Sequence, residues 1–266
     1  MNKYSAYIFL CFLNMAPQSA YAWGAFGHQL VCDIAWQESS SSVKTHIQAA
    51  AKRMGYKTFA QSCVWADSIK RDATFDRLKP LHYINVSRAQ NSVQKSSCLS
   101  HKTPQCVVTA IDEYAAQAVN DDWPELIRDQ ALLLLGHFVA DVHQPLHVSY
   151  REDRGGTGRH VTFEGKVLSL HYVWDTALVY CQKGQSRSWR KLGRQLHQES
   201  IDMRIGGLSA VLWANESLAI TQQVYANLSS NRLPRTYCAQ YSPIVKQRLQ
   251  LAGRRLATLL AQMLVP

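Results

Sequence analysis

Two histidine–aspartate pairs are the most chemically informative feature of this chain. His137 and Asp141 stand four residues apart in an otherwise apolar stretch, and His171 and Asp175 repeat the spacing farther along. Residues four apart share one face of a helix. An ionised carboxylate on a buried face needs a partner or a metal ion, because its desolvation costs several kcal/mol. One such pair is usually a helix ion pair, but two pairs together favour a metal site.

Other histidines and carboxylates lie in short motifs near these pairs. His147 follows the first pair after Gln-Pro-Leu, Asp67 ends Trp-Ala-Asp, and His82 begins His-Tyr-Ile-Asn. Imidazole and carboxylate groups together are the zinc ligands expected where thiolates are absent. The cysteines form no close Cys-x-x-Cys pair, so a thiolate site is the weaker interpretation.

The first 22 residues have the pattern of a secretory signal peptide. Lys3 precedes an apolar stretch, and Ala20-Tyr-Ala22 is the small-x-small sequence that signal peptidase accepts. Cleavage there would make Trp23 the N-terminus, with His28 five positions on. A free α-amino group has a pKa of roughly 8, which a nearby dication lowers, so it can become a metal ligand. We therefore expect processing to build part of the site.

The predicted signal sets the compartment in which the cysteines act. An exported chain with an even number of cysteines favours disulfides, here up to three, and the spacing does not choose among the possible pairings. No second apolar stretch is long enough to span a bilayer, so we expect no stable membrane insertion and a periplasmic or secreted protein. The cysteines that remain after residue 22 are Cys32, Cys63, Cys98, Cys106, Cys181 and Cys238.

The chain is basic, with a formal net charge of +10. This charge suits a polyanionic partner, either nucleic acid or an anionic lipid surface. A basic protein without such a partner explains the charge alone equally well. Charge therefore leaves the partner open, and the motifs must decide it.

Apolar residues recur at three- and four-residue steps along most of the chain, which predicts a mostly α fold. Residues 160–168 instead alternate around Glu-Gly, as in a short β-hairpin. No linker or repeat divides residues 23–266, so we expect a single domain after the 1–22 signal peptide. The predicted helices are Ser42–Met54, Thr103–Asn120, Glu125–His143, Leu170–Cys181, Ser186–Asp202, Leu208–Leu228 and Pro243–Leu264.

The motifs taken together have a specific order. They are Trp-Gly-x-x-Gly-His from Trp23, Trp-Ala-Asp, His-Tyr-Ile-Asn, His-Phe-x-x-Asp-x-His-Gln-Pro-Leu-His, Asp-Arg-Gly-Gly from Asp153, and Leu-His-x-x-Trp-Asp ending at Asp175. In this order the chain resembles the zinc-dependent single-strand-specific nucleases and 3′-nucleotidases of fungi, plants and bacteria, the nuclease S-one and nuclease P-one type. We interpret it as a bacterial member. The resemblance implies the helical fold shared with zinc-dependent phospholipase C, and a monomer acting on single-stranded DNA, RNA and nucleotides.

The resemblance implies three zinc ions held by nine residues, all of which have counterparts here. Asp141 bridges the first and third ions, and Trp23 binds through its amino nitrogen and carbonyl oxygen. His143 lies in the same motif but is not a family ligand. The implied ligands are Asp67, His82, His137 and Asp141 for the first ion, His147, His171 and Asp175 for the second, and Trp23, His28 and Asp141 for the third.

The resemblance also implies the reaction. A water shared by two zinc ions loses a proton near neutral pH and attacks phosphorus, and cleavage of P–O3′ leaves a 5′-phosphate. Lys70 and Asp67 are the implied catalytic residues, and Lys70 with a further zinc stabilises the transition state. Tyr83 would stack on a base and Asn85 would hydrogen-bond a base edge. Without the resemblance, Lys70 is simply an exposed helix lysine, and Tyr83 and Asn85 have ordinary structural roles.

Two other functions compete with the nuclease. Zinc-dependent phospholipase C shares the fold and an N-terminal tryptophan ligand, but its last carboxylate is typically Glu and its first Trp-to-His gap is longer, which disfavours it here. A non-enzymatic zinc- or nucleic-acid-binding protein explains the charge but not a carboxylate-bridged site. Thr157 and Ser169 stand where many nucleases of this type have Asn. These differences spare the metal ligands. Because the residues differ from the family pattern, however, the base preference of the family is not carried over to this chain.

Overall fold

Helices make up most of the computed structural model, which describes residues 23–100, 103–181, 188–200 and 207–265. The mostly α prediction is therefore confirmed. The helices are α1 (Ala25–Glu38), α2 (Ser41–Arg53), α3 (Phe59–Ser62), α4 (Trp65–Ser68), α5 (Val107–Ala118), α6 (Glu125–Val142), α7 (Leu170–Tyr172), α8 (Leu178–Tyr180), α9 (Trp189–Gln198), α10 (Ala210–Ala226) and α11 (Tyr237–Leu264). Shorter 3₁₀ segments are Ala73–His82, Lys95–Cys98, Pro145–His147 and Arg151–Asp153, and a π-helical segment, Val173–Ala177, joins α7 to α8.

Helix α6 lies at the centre of the core. Every residue from 131 to 142 is buried, which is expected of a helix that is apolar around most of its circumference. Helices α2, α5, α10 and α11 pack around it, and α1 packs between α11 and α9. The polar side chains of the C-terminal half of α6 are consequently held inside the protein.

The sequence pattern missed α1 and misplaced the starts of two other helices. Helix α1 has no side-chain cap at Gly24 and is stabilised by packing. It packs so closely on α11 that a Cβ at Gly253 would lie 2.6 Å from Ile34. Helix α11 starts at Tyr237 and contains Pro243, which the prediction had placed at its start. Helix α5 starts at Val107, because Thr103–Pro104 forms a strand instead.

The other predicted helices are found with shifted ends. The segment predicted as one helix at Leu170–Cys181 is the succession of α7, the π-helical segment and α8. Within the predicted Ser186–Asp202 helix, Trp189–Gln198 forms α9, and Ser186 and Asp202 lie outside the described residues.

The described part of the chain also contains three short two-stranded sheets. Strands β2 (Leu99–Ser100) and β3 (Thr103–Pro104) pair antiparallel, as do β5 (His160–Phe163) and β6 (Lys166–Ser169). The β5–β6 pair is the predicted hairpin, and its turn has positive φ at Glu164 and Gly165. Strands β1 (Ile84–Val86) and β4 (Val148–Tyr150) pair in parallel, with Ile84 beside Val148. This pair, which the sequence did not predict, brings the motif that ends at His147 beside the one that contains His82.

Among the described residues the structure contains three disulfides, as the even cysteine count favours. They join Cys32 to Cys63, Cys98 to Cys106 and Cys181 to Cys238. In the part of the chain that the structure describes, none of the helices combines the length and apolar character that a bilayer crossing needs.

Candidate metal centre

Among the described residues, buried histidines and aspartates converge in three groups. Within each group, one potential ligand atom from each residue lies within 4.8 Å of the others. All members are buried, and His137 belongs to two groups. The groups are His28, His137 and Asp141; Asp67, His82 and His137; and His147, His171 and Asp175. Eight predicted side-chain ligands are thus brought together by the fold.

Segments distant in sequence supply these side chains. His28 comes from α1, and Asp67 comes from the single turn of α4. His82 is the last residue of the 3₁₀ segment Ala73–His82. Helix α6 supplies His137 and Asp141 from one face. His147 ends the 3₁₀ segment that precedes β4. His171 comes from α7, and Asp175 comes from the π-helical segment.

Asp141 occupies the middle of the centre. Its Oδ1 lies 3.5 Å from Nε2 of His28 and 3.6 Å from Nδ1 of His147. Its Oδ2 lies 2.9 Å from Nδ1 of His82 and 3.3 Å from Nε2 of His137. A fully buried carboxylate that faces four imidazoles is well placed to serve more than one metal ion.

Asp175 is the carboxylate of the group that it forms with His147 and His171. Its Oδ2 lies 3.0 Å from Nε2 of His171, and its Oδ1 lies 3.9 Å from Nε2 of His147. The side-chain amide of Gln144 donates a hydrogen bond to Oδ1 of Asp175. Gln144 lies between two predicted ligands in the motif, and sequence analysis gave it no role.

Three backbone carbonyls set the tautomers of three histidines. Nδ1 of His137 donates to the carbonyl of Cys63 at 2.7 Å, and Nδ1 of His147 donates to the carbonyl of His82 at 2.6 Å. Nδ1 of His171 donates to the carbonyl of Gly155 at 2.7 Å. With the proton on Nδ1, each Nε2 keeps a lone pair directed into its group, which is the usual support for a metal-bound histidine.

Two buried imidazole nitrogens have no hydrogen-bond partner in the described part of the chain, namely Nε2 of His82 and Nε2 of His147. A buried polar atom without a partner is costly, and a metal ion or its ligands would satisfy such an atom. The donor set of nitrogen and carboxylate oxygen also matches zinc. The residues therefore fit the metal that the motifs predict.

Burial controls the protonation of the centre. Burial, with the nearby Lys70 and His137, lowers the pKa of His82 well below its ordinary value, so that this imidazole is neutral. Burial raises the pKa of Asp141 to about 6, although the attraction of His137 opposes the rise. Burial disfavours the charged form of His137, but Asp141 and Asp67 outweigh it, and the pKa of His137 is raised. These opposite shifts are typical of a site whose groups are coupled.

The centre opens to a cavity of about 340 Å³. Lys70 lines it, and its Nζ lies 2.5 Å from Oδ1 of Asp67. Tyr83 and Asn85 also line it, and the ring of Tyr83 is exposed, as a stacking surface requires. Lys79 and Arg154 also line this wall, and neither was predicted as a site residue, although Arg154 directly precedes the paired glycines of a recognised motif.

Trp23 lies fully buried beside the centre. Its indole Nε1 donates to the carbonyl of Ala140 at 2.9 Å, and the next amide, of Gly24, donates to the carbonyl of Asp175 at 3.1 Å. These contacts hold the Trp23–Gly24 backbone next to Asp175 and the indole next to the residue that precedes Asp141. His143 lies outside the three groups, since Nδ1 donates to Val139 and Nε2 accepts from Arg255.

A helical fold with buried His/Asp groups beneath a cationic cavity is typical of metal-dependent enzymes that act on anionic substrates. Residues 23–265 match the family description "S1/P1 Nuclease", and the chain belongs to this family of zinc-dependent nucleases. The resemblance stated from the motifs is thereby confirmed, and phospholipase C is not favoured.

Relatives in plants and fungi support the assignment. The chain is 30% identical over 179 residues to Endonuclease 2 of Arabidopsis thaliana, a match covering 65% of this chain and 61% of that protein. It is 29% identical over 286 residues to Endonuclease 4 of the same plant, covering 93% and 91%. It is 26% identical over 267 residues to Nuclease S1 of Aspergillus oryzae, covering 90% and 91%.

Proposed function

We propose that this protein is an exported zinc-dependent endonuclease that hydrolyses single-stranded DNA and RNA, and that it also removes phosphate from 3′-nucleotides. The observation that carries the proposal is the convergence of three buried His/Asp groups beneath a cavity lined by Lys70 and the exposed ring of Tyr83. Nucleic acid offers this cavity both phosphate charge and stacking bases. The described disulfides agree with export, and we propose residues 1–22 as the signal and 23–266 as one domain.

We assign three zinc ions to nine ligands. Asp141 would be shared by two ions, in agreement with its contacts to four histidines. Trp23 would contribute its backbone nitrogen and oxygen after signal cleavage. The proposed sets are Asp67, His82, His137 and Asp141; His147, His171 and Asp175; and Trp23, His28 and Asp141.

The bound zinc ions supply Lewis acidity and lower the pKa of water, so that a nucleophile is available near neutral pH. In the proposed reaction the oxygen of a water molecule would add to phosphorus as the P–O3′ bond breaks, and the proton lost by that water would pass to the leaving O3′, which gives a 5′-phosphate and a 3′-hydroxyl. Asp67 orients Lys70 through their ion pair. The ammonium of Lys70 then faces the negative charge that develops on the phosphoryl oxygens.

Substrate binding would involve two further side chains. Tyr83 presents an exposed ring on which a base can stack, a contact worth about 1–3 kcal/mol and tolerant of sequence. Asn85 lies in the same wall, where its amide can hydrogen-bond a base edge.

The proposal is tested on purified protein with single-stranded DNA, single-stranded RNA and a 3′-mononucleotide, before and after chelation and after zinc is restored. We expect cleavage of both nucleic acids to 5′-phosphate products and release of inorganic phosphate from the 3′-mononucleotide. Both activities should be lost on chelation and recovered with zinc. Phosphatidylcholine in parallel tests the phospholipase alternative. Cleavage of the lipid but not of nucleic acid, or nuclease activity that magnesium alone sustains, would contradict the proposal.

A further inference from the structure

The cavity above the metal centre is lined by three cationic side chains, Lys70, Lys79 and Arg154. Within the described residues its lining includes no carboxylate. A cavity with charges of one sign attracts an anion of several charges. Lys70 contacts a metal group through Asp67, which leaves Lys79 and Arg154 as the cations of this cavity that could meet a second phosphate.

The three cations differ in their partners. Nζ of Lys70 lies 2.5 Å from Asp67, and Nζ of Lys79 lies 2.5 Å from Asp76. Across the described parts of the chain, Arg154 forms no ion pair with any carboxylate, and its side chain is exposed to the cavity. Of the two cations that contact no metal group, Arg154 is therefore the one that can meet an anion without giving up an ion pair.

The backbone at Arg154 is held in an unusual conformation. Its φ of 56° and ψ of 52° are left-handed, which disfavours non-glycine residues. Hydrogen bonds fix the loop on both sides: the amide of Gly155 donates to Tyr150 at 2.9 Å, and the amide of Gly156 donates to the carboxylate of Asp153 at 2.9 Å. The hydroxyl of Tyr225 donates to the other oxygen of Asp153 at 2.6 Å. An unfavourable conformation held in this way is typical of functional loops.

The loop also fixes the place of Arg154 relative to the centre. The carbonyl of Gly155 binds Nδ1 of His171, while Nε2 of His171 faces Asp175 inside the metal group. The backbone of residues 154–155 thus lies on the Nδ1 side of His171, away from Asp175, and the side chain of Arg154 lines the cavity, whereas Lys70 contacts a metal group directly through Asp67. A group in this position is suited to the phosphate next to the scissile one.

We infer that Arg154 binds the phosphate of the nucleotide neighbouring the scissile phosphodiester, so that the enzyme prefers oligonucleotides to substrates with a single phosphate. This inference rests on the proposed nuclease function. The planar guanidinium can donate two parallel hydrogen bonds to phosphate oxygens, which an ammonium cannot match.

The test compares two substrates of the zinc-loaded enzyme, a thymidine oligonucleotide and a thymidine dinucleoside monophosphate, whose single phosphodiester has no neighbour. The variant Arg154→Asn removes the charge and keeps a residue that tolerates left-handed φ. We expect the ratio of the two kcat/KM values to fall about tenfold, mainly through the KM of the oligonucleotide. Arg154→Lys should restore part of this preference because it keeps the charge.

Lys79→Gln is the matched control, since it removes an equal charge from the same cavity but one already paired with Asp76. It should change the ratio less than about twofold. The salt dependence gives a second measurement. For Arg154→Asn, the slope of log kcat/KM against log salt with the oligonucleotide should become less steep by about 0.7.

Three results would overturn the inference. They are an unchanged ratio in Arg154→Asn, an equal fall for both substrates with loss of zinc, and an equal effect of Lys79→Gln on the ratio. Failure of the nuclease proposal is recognised separately, because the unmodified, zinc-loaded enzyme would then cleave neither substrate.

Discussion

Cys63 both orients a metal-group histidine and anchors a disulfide. Its carbonyl oxygen accepts the Nδ1 hydrogen bond of His137 at 2.7 Å, and its sulfur is bonded to Cys32 of α1. The disulfide packs directly on α6, where a Cβ at Gly136 would lie 3.0 Å from Sγ of Cys63 and 3.2 Å from Sγ of Cys32. The position of His137 therefore depends on a covalent link between two distant segments.

The double variant Cys32→Ala/Cys63→Ala should lose both stability and zinc affinity. Opening this disulfide, whose cysteines are 31 residues apart, should lower the free energy of unfolding by about 2–4 kcal/mol. The freed carbonyl of Cys63 would also hold His137 less firmly, and loss of such support typically costs about 10–100-fold in metal affinity. Urea denaturation and zinc competition with a chromophoric chelator measure the two effects.

Cys98→Ala/Cys106→Ala is the control for this variant. The carbonyl of Cys106 accepts from Thr109 and Ala110 on its own helix and orients no histidine of the metal groups. Stability should fall while zinc affinity changes little. If both double variants weaken zinc equally, the carbonyl of Cys63 has no special role.

Asp141→Asn should be the most damaging single substitution in the centre. It removes the negative charge that faces four histidines and that we assign to two zinc ions. We expect the loss of more than one zinc per protein and of nearly all activity. Metal analysis of the purified variant, together with nuclease assays, tests both expectations.

Asp129→Asn is a matched comparison on the same helix. Asp129 is buried and paired with Arg53, at 2.6 Å from Nε, but belongs to no metal group among the described residues. This variant should be less stable yet keep its zinc. Retention of all zinc by Asp141→Asn would contradict the shared-ligand assignment.

Lys70→Ala should lower kcat while zinc content stays nearly intact. The ammonium contacts Asp67 and lines the cavity, and a protonated lysine has no lone pair for a metal. The expected loss is about tenfold to a thousandfold, and the upper part of this range is the size measured when an oxyanion-hole donor is removed. Unchanged kinetics at full zinc occupancy would place Lys70 among ordinary surface residues.

Zinc affinity should weaken as the pH falls through about 6. Burial raises the pKa of Asp141 to about 6, and nearby carboxylates raise the pKa of His137 despite its burial. Below these pKa values the metal-free groups hold protons that zinc must displace, whereas at higher pH they are already free to bind. Calorimetry in buffers of different ionisation enthalpy should detect more protons released per zinc at about pH 6 than at about pH 8. Equal proton release at both would contradict the prediction.

The sequence predicted the helical class and the two His–Asp pairs because their signals are local, whereas the other metal ligands were implied by the resemblance of the motifs to a known family. His137 and Asp141 are four residues apart, and His171 and Asp175 repeat the spacing, so a helical pattern alone places each pair on one face. Helix α1 escaped prediction because it depends on packing against α11 rather than on a cap or a clear apolar stripe.

Other parts of the centre could not be read from local patterns. The β1–β4 pairing joins residues more than sixty positions apart, and parallel pairing leaves no turn between its strands to mark it. The carbonyls of Cys63, His82 and Gly155 act through backbone atoms that every residue type possesses. Arg154 gave no signal because its availability depends on which cations find carboxylate partners in the folded chain.

A single extra residue before Trp23 should inactivate the enzyme. The indole of Trp23 donates a hydrogen bond to the carbonyl of Ala140, and the amide of Gly24 donates one to the carbonyl of Asp175. The backbone of Trp23 is therefore held beside the centre. A protein that starts Met-Trp23 replaces the free amine with an amide, which has no available lone pair. It should fold, bind one zinc fewer and lose most of its activity. Trp23→Phe with normal cleavage is the control, because it loses the indole hydrogen bond but keeps the free amine, and it should be the more active of the two. Equal cleavage of single-stranded DNA by the extended and processed proteins would show that the N-terminus is not a ligand.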